Sequence, residues 1–291
     1  MDRKDFIKKG IFGTGMFAAT AAFGNIMQND IDEIQPLEIL GFNHLPNSES
    51  LVMENTILHK ADTRGLANHG WLESHQTFSF ANYYNPERMH FGVLRVLNDD
   101  RVDAGKGFGT HPHDNMEIIS IPLEGDLEHK DSMGNTTVIK KGDIQTMSAG
   151  TGIFHSEFNK NEDQLVKFLQ IWVYPNKKNV TPRYDQITLK TEKRKNKFQQ
   201  ILSPSPDDEG VWIHQDAWFH LGTFDQNIST EYTIKKPNNG VYVFIINGSA
   251  TIADQKLNSR DGFGIWNTQN LTITSNENST EILLMEVPTS M

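Results

Sequence analysis

Cysteine is absent from this 291-residue chain, and its absence limits the chemistry open to the protein. Without thiols the chain can form no disulfide bond, no thiolate zinc site and no lipidated amino-terminal cysteine. A metal ion, if one is bound, must therefore be held by nitrogen and oxygen ligands.

An excess of basic residues is also missing. The 27 lysines and arginines are outnumbered by 37 aspartates and glutamates, which gives a formal net charge of -10. Such a field repels the phosphate backbone, and the sequence has no basic stripe with interleaved aromatic residues to offset it. We therefore expect no nucleic-acid partner.

Long hydrophobic runs are scarce, and the apolar stretch at residues 11–23 is too short to indicate a membrane span. Four basic residues precede it: Arg3, Lys4, Lys8 and Lys9. This is the layout of an export signal, and it resembles a twin-arginine signal with lysine in place of the second arginine. We expect residues 1–30 to direct export to the periplasm or beyond, with no stable membrane insertion after their removal. The alternative is a short apolar or amphipathic helix on a cytoplasmic protein.

The rest of the chain predicts an all-β protein. Residues 31–56 are polar and acidic and are typical of a tether. Short β-branched and aromatic segments then predict strands, with no helix of 12 or more residues. The segments are 91–97, 117–123, 167–174, 241–246 and 281–287. The pair Asn247-Gly248 predicts a two-residue hairpin.

The length of the chain suits two small domains. The charged, proline-containing residues 176–197 are the best linker, and they would separate a domain at residues 57–175 from one at residues 198–291. We predict two jelly-roll β-barrels in tandem, a form that leaves few exposed sheet edges.

Two short motifs suggest chemistry, His111-Pro112-His113 and His155-Ser156-Glu157. Side chains two residues apart on a strand point to the same face, so each motif presents two polar groups together. Neighbouring strands would bring three imidazoles and one carboxylate to a single metal ion and leave two of six positions open for chemistry. The alternative is that these histidines are solvent-facing or purely structural.

The flanking residues resemble the two metal-binding motifs of the cupin superfamily. The first motif runs from Gly105 to Glu117, and the second runs from Gly142 through Gly150-Thr151-Gly152 to Glu157. The His-x-Glu of the second motif resembles the pirin family in particular, as do residues 64–80 and 127–135. Ser148 is a departure, since the general cupin pattern has proline there.

The pirin resemblance implies a site and its occupant. The metal ligands would be His111, His113, His155 and Glu157, in an N-terminal cupin domain. The general cupin pattern makes Glu117 a ligand, but two carboxylates would overload the charge on one ion. We therefore assign Glu157 to the metal and expect Glu117 beside the ligands, as a hydrogen-bonding neighbour or a spare ligand.

The resemblance also implies that the second barrel is a degenerate cupin domain. Its two histidines, His214 and His220, have no matching His-x-Glu. We expect this domain to hold no metal and to shield one side of the pocket.

Aromatic residues suggest a cavity for a flat substrate. Six of them can wall it: Trp71, Phe78, Phe80, Phe91, Phe108 and Phe154. We expect most to lie in the core and Phe108 and Phe154, which adjoin the ligand segments, to line the pocket. His75 and His129 are candidate acids or bases there, with a structural role as the alternative.

The function implied by the resemblance is a mononuclear dioxygenase acting with O2 on flavonol (quercetin-like) or related aromatic hydroxyl substrates. It would use one divalent metal, Fe(II) first, with Mn, Ni, Co, Cu or Zn also compatible, and Glu157 as catalytic base. One alternative is a non-catalytic metal-binding redox sensor or partner-binding module, and another is hydrolase or isomerase chemistry. We expect a monomer, because the two barrels can cover each other's exposed sheet faces.

Overall fold

The computed structural model describes residues 55–290, and these residues form 22 strands and two short 3-10 turns, Ala61–Thr63 and Thr191–Lys193. The predicted export signal and almost all of the predicted tether lie outside the described residues. Within residues 55–290, no helix has the length and apolar character needed to cross a membrane. The prediction of an all-β chain is confirmed, and each of the five predicted strand segments overlaps an observed strand.

Two sheets form the N-terminal barrel. The first has seven strands in the order β12-β9-β6-β11-β4-β3-β2, and the second has four strands in the order β5-β10-β7-β8. The strand bounds are β2 Gly65–Asn68, β3 Leu72–Gln76, β4 Leu94–Val102, β5 Gly107–His113, β6 Glu117–Glu124, β7 Asp126–Asp131, β8 Thr136–Lys140, β9 Asp143–Ser148, β10 Ile153–Asn159, β11 Val166–Val173 and β12 Arg183–Thr188.

The C-terminal barrel repeats this plan, with seven strands in the order β1-β20-β17-β22-β15-β13-β14 and four in the order β16-β21-β18-β19. The strand bounds are β1 Asn55–His59, β13 Phe198–Ser203, β14 Val211–Trp212, β15 Trp218–Phe224, β16 Ser229–Thr233, β17 Asn239–Asn247, β18 Ser249–Ile252, β19 Gln255–Asn258, β20 Gly262–Trp266, β21 Asn270–Ser275 and β22 Thr280–Pro288. The prediction of two tandem jelly-roll barrels is thereby confirmed.

The first strand of the described chain belongs to the C-terminal barrel. β1 precedes the N-terminal barrel in the chain but pairs with β20 of the C-terminal barrel, from Asn55 opposite Trp266 to His59 opposite Gly262. The predicted linker, residues 176–197, contains β12, which pairs antiparallel with β9 and extends the N-terminal sheet. Both segments that join the barrels are thus hydrogen-bonded into a sheet.

The predicted hairpin at Asn247-Gly248 is wrong. The residues join β17 to β18, but β17 pairs with β20 and β22 whereas β18 pairs with β19 and β21, so the chain passes from one sheet to the other. Gly248 has a φ of 77°, and a Cβ there would lie 2.6 Å from Thr280 Oγ1. The same turn chemistry therefore makes a corner between sheets, because in a jelly roll the partner of a strand is seldom its neighbour in the chain.

The core between the barrels determines which side chains face the site. The largest apolar cluster combines Ile119 and Ile171 of the N-terminal sheet with Leu221 and Phe244 of the C-terminal sheet. Ile119 and Ile171 lie directly opposite each other on β6 and β11 and face out of their barrel. Their neighbours Ser120 and Gln170 must therefore face into it. The C-terminal domain covers the outer face of this sheet, behind the face that carries Ser120 and Gln170, and its shielding of one side of the pocket stays a prediction.

Candidate metal centre

Three histidines meet inside the N-terminal barrel. His111 and His113 lie on β5 and His155 lies on the adjacent β10, where it is directly opposite His111. One ring nitrogen from each residue lies within 4.8 Å of the other two, and His111 Nε2 is 3.0 Å from His155 Nε2. The alternation of side chains along both strands produces this convergence.

The orientation of the rings suits a metal ion. His111 Nδ1 lies 2.8 Å from the carbonyl oxygen of Gly109, so a proton on Nδ1 makes a hydrogen bond and leaves Nε2 as the ligand atom. Two nitrogen ligands about 2.1 Å from an ion and at right angles to each other are about 3.0 Å apart. The separation of His111 and His155 therefore fits neighbouring positions of an octahedral site. His155 is buried while His111 and His113 are only partly so, which leaves one side of the cluster open.

Glu157 faces the same side of β10 as His155 but is not a member of the histidine cluster. It is 3% exposed, and its carboxylate accepts hydrogen bonds inside the barrel. Ser120 Oγ donates to Oε1 at 3.1 Å, and Gln170 Nε2 lies 3.1 Å from both Oε1 and Oε2. The structure thus brings three of the four predicted ligands together, and the fourth, Glu157, is hydrogen-bonded to neighbouring side chains.

These donors belong to a polar row that crosses six of the seven strands of the larger sheet. Six residues stand opposite one another on successive strands, on the face that contacts Glu157: Gln76, Asn98, Gln170, Ser120, Gln145 and Gln186. Sequence reasoning missed this row. The signal was a polar residue in the middle of apolar strands, such as Ser120 in Ile118 to Ile121.

Glu117 lies on the opposite face of the same sheet. It is three residues from Ser120, and an odd number of residues along a strand reverses the face. Ser148 Oγ donates to Glu117 Oε2 at 2.7 Å. Burial raises the pKa of Glu117 to about 7, an effect opposed by the Ser148 hydroxyl, the Arg183 guanidinium and a hydrogen bond with the His214 backbone. The prediction that Glu117 sits beside the metal ligands is therefore wrong.

The predicted aromatic wall is also in part wrong. Phe154 is 54% exposed, because it precedes His155 on β10 and so points out of the barrel. Phe108 packs in a core cluster, with its ring centroid 5.6 Å from that of Trp71. The aromatic side chain beside the histidines is Trp172, which sequence reasoning did not single out. Its ring centroid lies 4.9 Å from that of His113 and 5.3 Å from that of Phe80.

Phe78 and Phe91 lie in the core between the barrels, as expected for most of the aromatic residues. Each ring centroid is 5.4 Å from that of the buried Tyr242.

The two candidate acid–base histidines have different environments. His129 is buried, its Nε2 is 3.1 Å from Asp131 Oδ2, and its ring centroid is 5.4 Å from that of His155. His75 is a partly exposed residue whose Nε2 lies 3.2 Å from Glu73 Oε1, on the sheet face away from the barrel interior. His129 therefore adjoins the histidine cluster, and His75 does not.

In the C-terminal barrel, His220 lies on β15 with its ring 4.9 Å from that of Tyr232. Burial and the nearby Lys235 lower the pKa of His220 to about 3, so the imidazole is neutral at ordinary pH. Among the described residues, the grouping of side chains able to hold a metal ion is the one formed by His111, His113 and His155.

Two tandem jelly-roll barrels, with a cluster of three histidines in the first, define a bicupin with a candidate metal centre in its N-terminal domain. Comparison with known families agrees: residues 59–173 match the pirin family, and residues 200–287 match the quercetinase C-terminal cupin domain. The chain belongs to the pirin family.

Known relatives extend this comparison over most of the chain. A quercetin 2,3-dioxygenase of Escherichia coli K12 is 43% identical over 231 residues, which cover 79% of this chain and 98% of the relative. The crystal structure of YhhW from Escherichia coli is similar with a TM-score of 0.77 and 41% identity, over 80% of this chain and 98% of that one. A second structure of YhhW, in complex with nickel(II), has a TM-score of 0.76 and the same identity, over 80% of this chain and 99% of that one.

Proposed function

We propose that this protein is a metal-dependent dioxygenase that acts on flavonols such as quercetin, or on related aromatic hydroxyl compounds, with O2 as co-substrate. The observation that carries the proposal is the cluster of three histidines on one open side of the barrel, with the Glu157 carboxylate on the same face. The similarity to a quercetin 2,3-dioxygenase over 98% of its length supports the choice of substrate class. The proposed products are a ring-opened ester and carbon monoxide.

His111, His113 and His155 would hold the ion, with Glu157 as a fourth ligand. A bound divalent metal supplies Lewis acidity, which lowers the pKa of a coordinated substrate hydroxyl, and a partner for dioxygen. Fe(II) is our first choice, because mixed imidazole and carboxylate ligands suit it. The nickel(II) complex of YhhW makes Ni(II) the first competitor to test.

The chain's own residues position the substrate and take its proton. Trp172 and Phe80 offer an aromatic wall next to His113, against which a flat ring can pack. Glu157 faces the interior of the barrel, as His155 does. The proton of the substrate hydroxyl passes to a carboxylate oxygen of Glu157. Ser120 and Gln170 keep that carboxylate oriented by donating to it.

The test is metal content and oxygen uptake of the purified protein, with quercetin as the first substrate. We expect about one metal ion per chain and flavonol-dependent consumption of O2 with release of carbon monoxide. His111→Ala should lose the metal, and Glu157→Gln should lose turnover. The matched control is His75→Ala, because His75 is a histidine of the same barrel that faces away from the cluster.

The same experiment distinguishes the alternatives. Stoichiometric metal without O2 uptake on any flavonol or catechol would refute the dioxygenase and would favour a sensor or binding module. Failure of the wild-type protein to bind a divalent ion would refute both.

We further propose export by residues 1–30 and a monomeric state, on the sequence patterns given above. Cell fractionation with and without residues 1–30 tests the first, and light scattering of the purified protein tests the second. Recovery of the full chain in the cytoplasm alone would refute export.

A further inference from the structure

Glu157 has a hydrogen-bonded position that is separate from the histidine cluster, and a chain of contacts maintains it. Trp172 Nε1 donates to Gln170 Oε1 at 3.1 Å, and Gln170 Nε2 in turn contacts both carboxylate oxygens of Glu157. Trp172 also packs against His113. The chain therefore connects the aromatic wall, the polar row and the predicted fourth ligand.

The indole determines which way the Gln170 amide points. An indole N–H can only donate, so the carbonyl oxygen of Gln170 must face Trp172 and its amide nitrogen must face Glu157. Ser120 adds a second donor to the same carboxylate. Ser120 and Gln170 are thus both arranged for an acceptor in this position.

Burial makes this position costly to leave. Gln170 is 7% exposed and Ser120 is 0% exposed, so bulk water makes little contact with these donors. A carboxylate that turns one oxygen to a metal ion would weaken the hydrogen bond that Gln170 Nε2 makes to that oxygen, and a weakened buried hydrogen bond to a charged group destabilises that state. Metal coordination by Glu157 and its full set of hydrogen bonds to Gln170 therefore oppose each other.

We propose that Gln170, oriented by Trp172, is a positioning residue that competes with the metal ion for the Glu157 carboxylate. This inference rests on the proposed function, since it concerns the same centre, and it states how Glu157 is shared between metal ligation and proton transfer. The competition keeps the carboxylate available to a substrate while the three histidines hold the ion.

The test is Ni²⁺ affinity by calorimetry, with Co²⁺ visible absorption as a report on the ligand set. Gln170→Leu removes the competing donor, so we expect Ni²⁺ to bind about tenfold more tightly, equivalent to one hydrogen bond to a charged group. The Co²⁺ spectrum should change as the carboxylate joins the histidines. Unchanged or weaker Ni²⁺ binding would overturn the proposal, because it would make Gln170 a support of Glu157 as ligand.

Two controls isolate the effect. In a Glu157→Gln background, Gln170→Leu should no longer alter Ni²⁺ affinity, since no carboxylate is left to release. Gln145→Leu makes the same change at a buried glutamine of the same polar row, on the far side of Ser120, and should leave the affinity of the wild type intact.

A second variant covers the case in which Gln170→Leu does not fold. Trp172→Phe keeps an aromatic ring beside His113 but removes the indole donor, so the amide can rotate and we expect a smaller gain in the same direction. Weaker binding by Trp172→Phe would contradict the proposal. The titrations need no substrate, so a lack of oxygen uptake would count against the proposed reaction alone.

Discussion

Glu117 is a buried carboxylate at the joint between the two domains, and its substitution by glutamine tests the electrostatics of that joint. The side chain is 1% exposed. It contacts Ser148 of the N-terminal barrel and the backbone of His214, with Arg183 nearby. Arg183 itself donates to the carbonyl oxygen of Trp212 and lies over its ring at 3.9 Å.

The magnitude follows from the pKa of Glu117, which burial raises from 4.5 to about 7. Each pKa unit corresponds to about 1.4 kcal/mol, so the charged form destabilises the folded state by about 3 kcal/mol above pH 7. The sign follows from proton uptake. Between pH 4.5 and 7 the folded state holds a proton that the unfolded state has released, so the free energy of unfolding falls as the pH rises.

Glu117→Gln replaces the carboxyl by a neutral group of nearly the same shape. At pH 4.5 and below, the variant and the wild type should have nearly equal free energies of unfolding. At pH 8 the variant should be more stable by about 3 kcal/mol, because it no longer buries a charge. Urea unfolding followed by tryptophan fluorescence, at several values of pH from 4.5 to 8, measures this difference directly.

Ser148→Ala is the paired variant and should act in the opposite direction. The Ser148 hydroxyl lowers the pKa of Glu117, so its loss should raise that pKa further, extend the decline in stability to higher pH and make the total decline larger. A Glu117→Gln variant that is less stable than the wild type at pH 8, or a stability difference that does not vary with pH, would refute the reasoning. Either result would mean that Arg183 and the backbone donors stabilise the charged form more than burial penalises it.

Two further predictions concern backbone strain and acid stability. Gly150 has a φ of 48°, and a Cβ there would lie 2.0 Å from the carbonyl oxygen of Val180. Gly150→Ala should therefore destabilise the protein by about 3 kcal/mol in urea unfolding. Gly142 has a φ of 96° and no atom within 4 Å of such a Cβ, so Gly142→Ala should destabilise the protein by only about 1 kcal/mol. Equal effects of the two variants would contradict the contact with Val180. Burial lowers the pKa of His59 to about 4 and that of His220 to about 3, so the unfolded state takes up protons first and stability should fall as the pH drops from 6.5 towards 4. The loss is measured as the difference in the free energy of unfolding between pH 7 and pH 4.5, and His59→Gln and His220→Gln should each make it smaller. If both variants lose as much stability as the wild type, other groups cause the loss.

Local patterns predicted the strands and the convergence of the histidines, since both depend only on the two-residue period of a strand. The side chains that contact Glu157 depend on contacts between strands that are distant in sequence. Ser120 and Gln170 contact it from β6 and β11 of the other sheet, whose positions across the barrel from β10 follow from the jelly-roll topology and not from any local motif. Residue type alone did not indicate them, because a glutamine or a serine in an apolar strand has no spacing that identifies its partner.

The errors in the predicted site have one geometric cause. Phe154 was expected at the pocket because it adjoins His155 in sequence, and Glu117 because the general cupin pattern makes it a ligand. Phe154 is one residue from His155 and therefore on the other face of β10, while Glu117 is on the face of β6 that meets the second domain. Counting residues from a known interior position corrects both, but the interior position must first be identified.

The alternation of side chains between the two faces of a strand also explains what the C-terminal domain contributes, although no histidine cluster was found among its described residues. Ile119 and Ile171 pack against Leu221 and Phe244 of that domain, and each is adjacent in sequence to Ser120 or Gln170. Because successive residues of a strand share one backbone, burying the outer residues against a second domain holds the inner ones in place. We therefore expect the domain to support the donors around Glu157 from behind the sheet. A substitution in the interdomain core is then expected to alter the metal centre without touching any residue that faces it.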